Sequence, residues 1–158
     1  MKIKTPERLE CFVRKAIPED VGDSLQFCWD FFHESAAKLG QGIKEQDLKE
    51  FMLFLVLYEV AYVAVIGDEV VGCIAGSITM NQLKHDEFAF KEVFWYVKPH
   101  YRKSKIGRML YDVLIEELKR KKVDFCIMAN RFADQDLGRF FFYHDYKPME
   151  TLWIKKIV

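Results

Sequence analysis

Apolar residues recur along the chain with two different periods, and the order in which those periods alternate predicts the architecture. Over residues 9–15 apolar and polar positions alternate, as in a half-buried strand. Pro18-Glu19-Asp20 then opens a helix, with Val21, Leu25, Cys28, Trp29 and Phe32 on one face. Gly40-Gln41-Gly42 interrupts it. A second helix follows, with Leu48, Phe51, Met52, Leu55 and Tyr58 at three- and four-residue spacing. Residues 60–66 and 70–80 are β-branched runs joined by Gly67-Asp68-Glu69, the chemistry of a tight hairpin. After a polar loop over 81–86, the run 88–97 reads as a third antiparallel strand of a meander. Ile106, Met109, Leu110, Val113, Leu114 and Leu118 then form one stripe along the clearest helix, residues 105–121. A strand over 123–129, a short helix over 134–143 and a last strand over 151–157 complete the order. The pattern predicts an α/β (α+β) fold: a mixed, mainly antiparallel sheet of about six to seven strands flanked by four helices.

Length and composition narrow this picture. A chain of 158 residues without a Pro/Gly/Ser-rich linker suits one domain spanning 1–158. Half of the residues are apolar (51%), with 14 Phe against 4 Pro, so a packed core is expected. Lys plus Arg and Asp plus Glu balance at 24 each, so no global field draws the chain to nucleic acid or to an anionic membrane, and any anion site must be local. Cys11, Cys28, Cys73 and Cys126 form no C-x-x-C pair and read as buried free thiols. His33, His85, His100 and His144 share no short spacing, so no metal site is expected. Residues 1–7 lack the apolar stretch of a signal peptide. The most apolar run, 51–66, carries Glu59 and is too short to span a bilayer, so a cytoplasmic location is expected.

Chemistry concentrates where the third meander strand meets the strongest helix. The segment Val97-Lys98-Pro99-His100-Tyr101-Arg102-Lys103-Ser104-Lys105-Ile106-Gly107-Arg108 places four cations at a helix start. Each costs roughly 0.3–1 kcal/mol against the positive end of the helix dipole unless an anion is present. No acid appears before Asp112. Unpaired N–H groups and basic side chains converging there would cradle a pyrophosphate, with Gly107 removing a Cβ where backbone must approach a ligand or the sheet. A solvated basic turn is the alternative. The second basic run, Lys119-Arg120-Lys121-Lys122, merely complements the opposite dipole end.

The same segment carries a family resemblance. Pro99-x-Tyr101-Arg102-x-x-x-Ile106-Gly107-Arg108-x-Leu110 resembles the acetyl-CoA signature Q/R-x-x-G-x-G/A of the GNAT acetyltransferases, which follows a strand ending in V-x-P. Arg102 fills its first position and Gly107 its last, whereas Lys105 replaces the middle glycine. The order of elements matches over nearly the whole chain, and neither a P-loop nor G-x-G-x-x-G is present.

The resemblance implies acetyl-CoA as cosubstrate, no metal, and transfer of acetyl to a primary amine of a small molecule or protein. It implies that the strand ending at Val97 splays from the strand over 123–129, with the pantetheine arm in the gap. Val97, Arg102, Lys103, Ser104, Lys105, Ile106, Gly107 and Arg108 would hold the cosubstrate. Asn130 would bond the pantetheine arm, although Asp134, Gln135 or Asp136 could fill that place. The transfer needs a deprotonated amine, a donor to the thioester carbonyl and an acid for the departing thiolate. Tyr143, in Phe141-Phe142-Tyr143-His144-Asp145-Tyr146-Lys147-Pro148, resembles the tyrosine of the family's F-Y-x-x-x-G-F segment and is the expected acid, with core packing as its other reading. Glu92 is the expected base, with a strand-surface carboxylate as its other reading, and His100 and His144 are reserve proton carriers. The acceptor pocket would be built by residues 31–57 and 81–86, which hold no acidic run that would announce a polycationic acceptor. Lys105 also motivates a second expectation, a noncatalytic acyl-CoA-binding or protein-interaction module on the same fold. The final strand, with Leu152-Trp153-Ile154, would complete its own sheet or pair two copies as a homodimer.

Overall fold

In the computed structural model, residues 10–34, 42–130 and 137–149 are described. Strand β1 (Cys11–Lys15) pairs antiparallel with β2 (Val60–Ile66), so helices α1 (Asp20–Glu34) and α2 (Glu45–Tyr58) intervene between sheet neighbours. β2 turns into β3 (Glu69–Met80) through Gly67 and Asp68, with Gly67 at φ 60°, the sign a two-residue hairpin needs at its first position. β4 (Phe88–Val97) continues the meander, and β5 (Phe125–Ile127) pairs with it in parallel. The parallel crossover from β4 to β5 is made by α3 (Ile106–Arg120), and α4 (Gly138–Tyr143) follows β5. The sheet order β1-β2-β3-β4-β5 is the mixed, mainly antiparallel architecture that the sequence predicts. Five strands lie among the described residues rather than six to seven, and the predicted strand over 151–157 falls outside them.

Alternation in the strands divides the core in two. On one face α1 and α2 bury Phe27, Cys28, Phe31, Leu48, Met52 and Leu55 against Val63, Cys73, Phe94 and Tyr96. On the other, α3 buries Ile106, Leu110, Leu114 and Leu118 against Val71, Ile74, Phe90 and Val97. Val21 and Cys28 of α1 are buried as predicted, but the centre of its buried face lies about one residue from the predicted one. Ser24, Phe27 and Phe31 are fully buried, while Leu25, Trp29 and Phe32 are partly buried. Phe51 and Tyr58, predicted on the inner face of α2, are exposed, because that helix is apolar on both sides and its register is set by Leu48, Met52 and Leu55. All four cysteines are free, and burial pushes the Cys73 thiol up to about 12.

A bulge in β4 positions the site. Glu92 pairs with Gly76 but Phe94 pairs with Ala75, leaving Val93 as the extra residue. Phe90 therefore faces the α3 side, whereas Phe94 and Tyr96 face α1 and α2. A Cβ at Gly76 would lie 2.2 Å from the Lys91 carbonyl oxygen and 2.6 Å from the Phe90 ring, so only glycine lets the strands meet at this point.

Candidate active site

Strands β4 and β5 stay together for three pairs, Ala89–Phe125, Phe90–Cys126 and Lys91–Ile127. β4 then runs on to Val97 with no further ladder pairing to β5 among the described residues. Glu92 is the first residue past the parting. Its side chain is buried, only 3% of the residue being exposed, and its Oε2 accepts the Ala129 N–H at 3.3 Å, spanning the two strands where they separate. A strand-surface carboxylate would not be buried. Asn130, the residue after Ala129, is exposed beside this parting.

At the far end of the gap, β4 leads through the 3₁₀ turn Pro99–Tyr101 into α3. The helix begins without a capping side chain at Lys105 and without an acid in its first turn to complement its positive end. Ser104 Oγ donates to the Tyr101 carbonyl at 2.5 Å and accepts the Ile106 N–H at 3.3 Å, which shapes the turn. Lys103 and Lys105 are exposed and form no ion pair among the described residues. Arg108 pairs with Asp112, one helical turn on, where both side chains are more than half exposed. Lys105 has φ −79° and ψ 0°, a backbone that any residue adopts, so its replacement of the motif glycine imposes no conformational strain. A Cβ on Gly107 would make ordinary contacts, 3.8 Å from Val97 Cγ2 and 4.0 Å from Trp95 Nε1. Packing on the sheet therefore does not require a glycine there.

Arg102 is occupied in a way the sequence does not announce. Its Nε donates to the Val97 carbonyl at 2.9 Å, its Nη2 meets Glu34 at 2.7 Å, and its guanidinium lies 4.9 Å from the centre of the Tyr96 ring. Tyr96 donates its hydroxyl to Glu34 at 2.8 Å, and burial together with that carboxylate pushes its phenol well above the ordinary range. Glu34 lies more than sixty residues before both partners, so no local spacing could have revealed the cluster.

The expected acid is placed differently from its sequence reading. Tyr143 ends α4 and is 75% exposed. The end of α4 also shifts the motif register. Tyr146 N–H bonds the Phe141 carbonyl, Asp145 N–H bonds the Phe142 carbonyl, and Asp145 has φ 61°, the helix stop that favours glycine. Asp145-Tyr146 therefore stands where the motif has G-F, which aligns Phe141, not Tyr143, with the motif tyrosine. Phe140 faces Trp95 and Tyr111 at 5.3 and 4.9 Å between ring centres, and His144 stacks near Phe140 and Tyr111. Two further phenols lie near this gap, Tyr111, which is buried, and Tyr146, which is half-buried. Tyr111 donates to the Tyr146 hydroxyl at 3.3 Å, and burial beside Cys126 raises Tyr146 strongly. His100 stacks edge-on against Tyr101 at the surface. No metal-binding cluster is present among the described residues, and none of their helices is long and apolar enough to cross a membrane.

Comparison with known proteins places the chain in a family. The family model described as Acetyltransferase (GNAT) family matches residues 23–145. No curated protein matches the sequence. Among solved structures, the chain is similar to a possible acetyltransferase from Clostridium difficile 630, at 14% identity, TM-score 0.72, and coverage of 94% of this chain and 98% of that one. It is also similar to a predicted acetyltransferase with acetyl-CoA from Clostridium acetobutylicum, at 13% identity, TM-score 0.71, and coverage of 94% and 97%. A third is a ribosomal-protein-alanine N-acetyltransferase from Brucella melitensis biovar Abortus 2308, at 13% identity, TM-score 0.66, and coverage of 94% and 98%. At these identities the structures show a shared fold, while the family model spans well over half of the sequence. The chain therefore belongs to the GNAT acetyltransferase family.

Proposed function

We propose that this protein transfers the acetyl group of acetyl-CoA to a primary amine of a small molecule or protein. The observation that carries the reading is the departure of β4 from β5 at a buried carboxylate, with an uncapped, cation-rich helix start at the other end of the same strand. The gap gives a pantetheine arm two strand edges to pair with, and the helix start gives a pyrophosphate N–H groups and lysines. Acetyl-CoA supplies the activated thioester. Val97, Ser104, Ile106, Gly107 and Arg108 contribute backbone around the phosphates, Lys103 and Lys105 contribute charge, Arg102 shapes the turn, and Asn130 reaches the arm from the segment after β5.

Glu92 is the proposed base. From the parting of the strands it takes the proton of the incoming ammonium, directly or through one water, so that the amine's lone pair is free to attack. Backbone N–H groups of β4 beyond Lys91 polarise the thioester carbonyl. For the acid, the motif match names Tyr143, whereas the helix-end register names Phe141, which has no proton to give. Tyr143 is retained as the proposed donor because it is the single phenol on α4.

The test is release of CoA thiol from acetyl-CoA in the presence of an amino acid, an aliphatic amine, a peptide with a free N-terminus and a peptide with an internal lysine. Turnover of at least one is expected. Glu92→Gln should lower kcat by about 10²-fold, and Tyr143→Phe should lower it by about tenfold while acetyl-CoA still binds. Unchanged turnover in Tyr143→Phe would remove it as the acid. Absence of transfer to every amine, with acetyl-CoA still bound, would favour a noncatalytic binding module, to which the exposure of Tyr143 already lends support.

A further inference from the structure

Arg102 holds the first position of the motif and is the natural candidate for a direct phosphate ligand, yet the protein itself uses its guanidinium. Glu34 Oε2 and Oε1 lie 2.7 and 2.9 Å from Nη2, the Val97 carbonyl accepts from Nε at 2.9 Å, and the Tyr96 ring lies beneath the plane. Glu34 closes the cluster by accepting the Tyr96 hydroxyl at 2.8 Å. Three elements meet there: the last residue of α1, the end of β4 and the turn into α3. Lys103 and Lys105, one and three residues further on, make no ion pair among the described residues. The charge of Arg102 is thus already met by a carboxylate, while the lysines beside it are not.

We infer that Glu34 is a positioning residue which, with Tyr96, fixes Arg102 as a strut between the end of α1 and the phosphate turn. The anion is then bound by the first N–H groups of α3 and by Lys103 and Lys105 rather than by the Arg102 guanidinium. This rests on the proposed binding of acetyl-CoA at the turn and adds how the turn is held in shape. The strut also joins the binding turn to α1, the helix that leads toward the proposed acceptor side.

The two roles for Arg102 predict opposite signs. If Arg102 were the phosphate ligand, Glu34 would be a competing anion, and Glu34→Gln would tighten acetyl-CoA binding. If Arg102 is a strut, the same change loosens the turn and weakens binding, by about tenfold, near the lower end of the usual worth of a charge-assisted hydrogen bond. Tyr96→Phe should weaken it less. Calorimetry on the full chain reads the affinity, and the KM for acetyl-CoA should rise while kcat at saturation stays within about twofold, as expected for an effect on binding alone. Amide hydrogen exchange of the free protein reads the strut without ligand: Glu34→Gln should speed exchange across residues 98–105. Tighter binding in Glu34→Gln, or unchanged exchange in the turn, overturns the inference. If the wild-type protein bound no acetyl-CoA, the functional reading would fail, and the exchange experiment would still decide the strut by itself.

Discussion

Asp20 shows how a single residue governs both a fold junction and its response to pH. It is the first residue of α1 and is almost fully buried. Its carboxylate receives a two-point contact from Arg14 of β1 at 2.7 and 2.8 Å and the Ile17 N–H at 2.8 Å. Burial alone would raise its pKa, but the guanidinium and the N–H outweigh burial and hold the carboxyl below its usual range. A depressed folded value means that the contribution to stability is complete above the unfolded value of about 4 and is lost as pH falls through the lower folded value. Asp20→Ala should therefore be less stable than wild type by roughly 2–3 kcal/mol at pH 7, with the difference shrinking below about pH 4. Urea unfolding at several pH values measures this, and a pH-independent difference would contradict it. At this scale the sequence was partly legible. Glu92 and the turn cations could be picked out because an acid in an apolar strand and cations at a helix start each violate a local preference. Glu34, Tyr96, Tyr111 and Tyr146 violate none, and they acquire their roles only through contacts across the fold. The end of α4 was not legible, because Asp145 takes the left-handed backbone usually left to glycine, so the sequence lacks the marker that would have fixed where the helix stops.

The elements themselves were more legible, since each long one combines a clear period with a recognisable stop. α3 carries one apolar stripe and ends with Lys122 at φ 55°, where Val123 N–H bonds the Leu118 carbonyl and Lys122 N–H bonds the Lys119 carbonyl. This is the usual glycine-terminated helix end, built here with a lysine whose Cβ is crowded in that conformation. Lys122→Gly should raise stability by about 0.5–1 kcal/mol, since the exposed side chain makes no ion pair among the described residues and glycine relieves the strain. A shift of the urea midpoint to lower concentration would contradict this reading. α2 was the least legible helix. Phe51, Phe54, Leu57 and Tyr58 give it a second apolar side, so spacing alone could not tell which side the sheet covers. β5 is shorter than its apolar run because it leaves the β4 ladder after Ile127, and local β-propensity does not report where a neighbouring strand departs.

For the whole molecule, a balanced charge leaves no long-range field to gather an anionic ligand, so recognition must come from one local construction. In the proposed reading the fold provides it by letting β4 run past β5 and ending β4 against an uncapped helix start, so that one strand carries a buried carboxylate and leads to the proposed pyrophosphate site. The most direct test of this account is calorimetric titration of the full chain with acetyl-CoA, with CoA and ADP as comparison ligands, at two salt concentrations. The account predicts one-to-one binding of acetyl-CoA, stronger than that of ADP because the gap between β4 and β5 adds contacts along the pantetheine arm. Lys103→Ala combined with Lys105→Ala should weaken that binding and flatten its salt dependence. Absence of acetyl-CoA binding, or equal binding of ADP and acetyl-CoA that ignores both lysines, would contradict it.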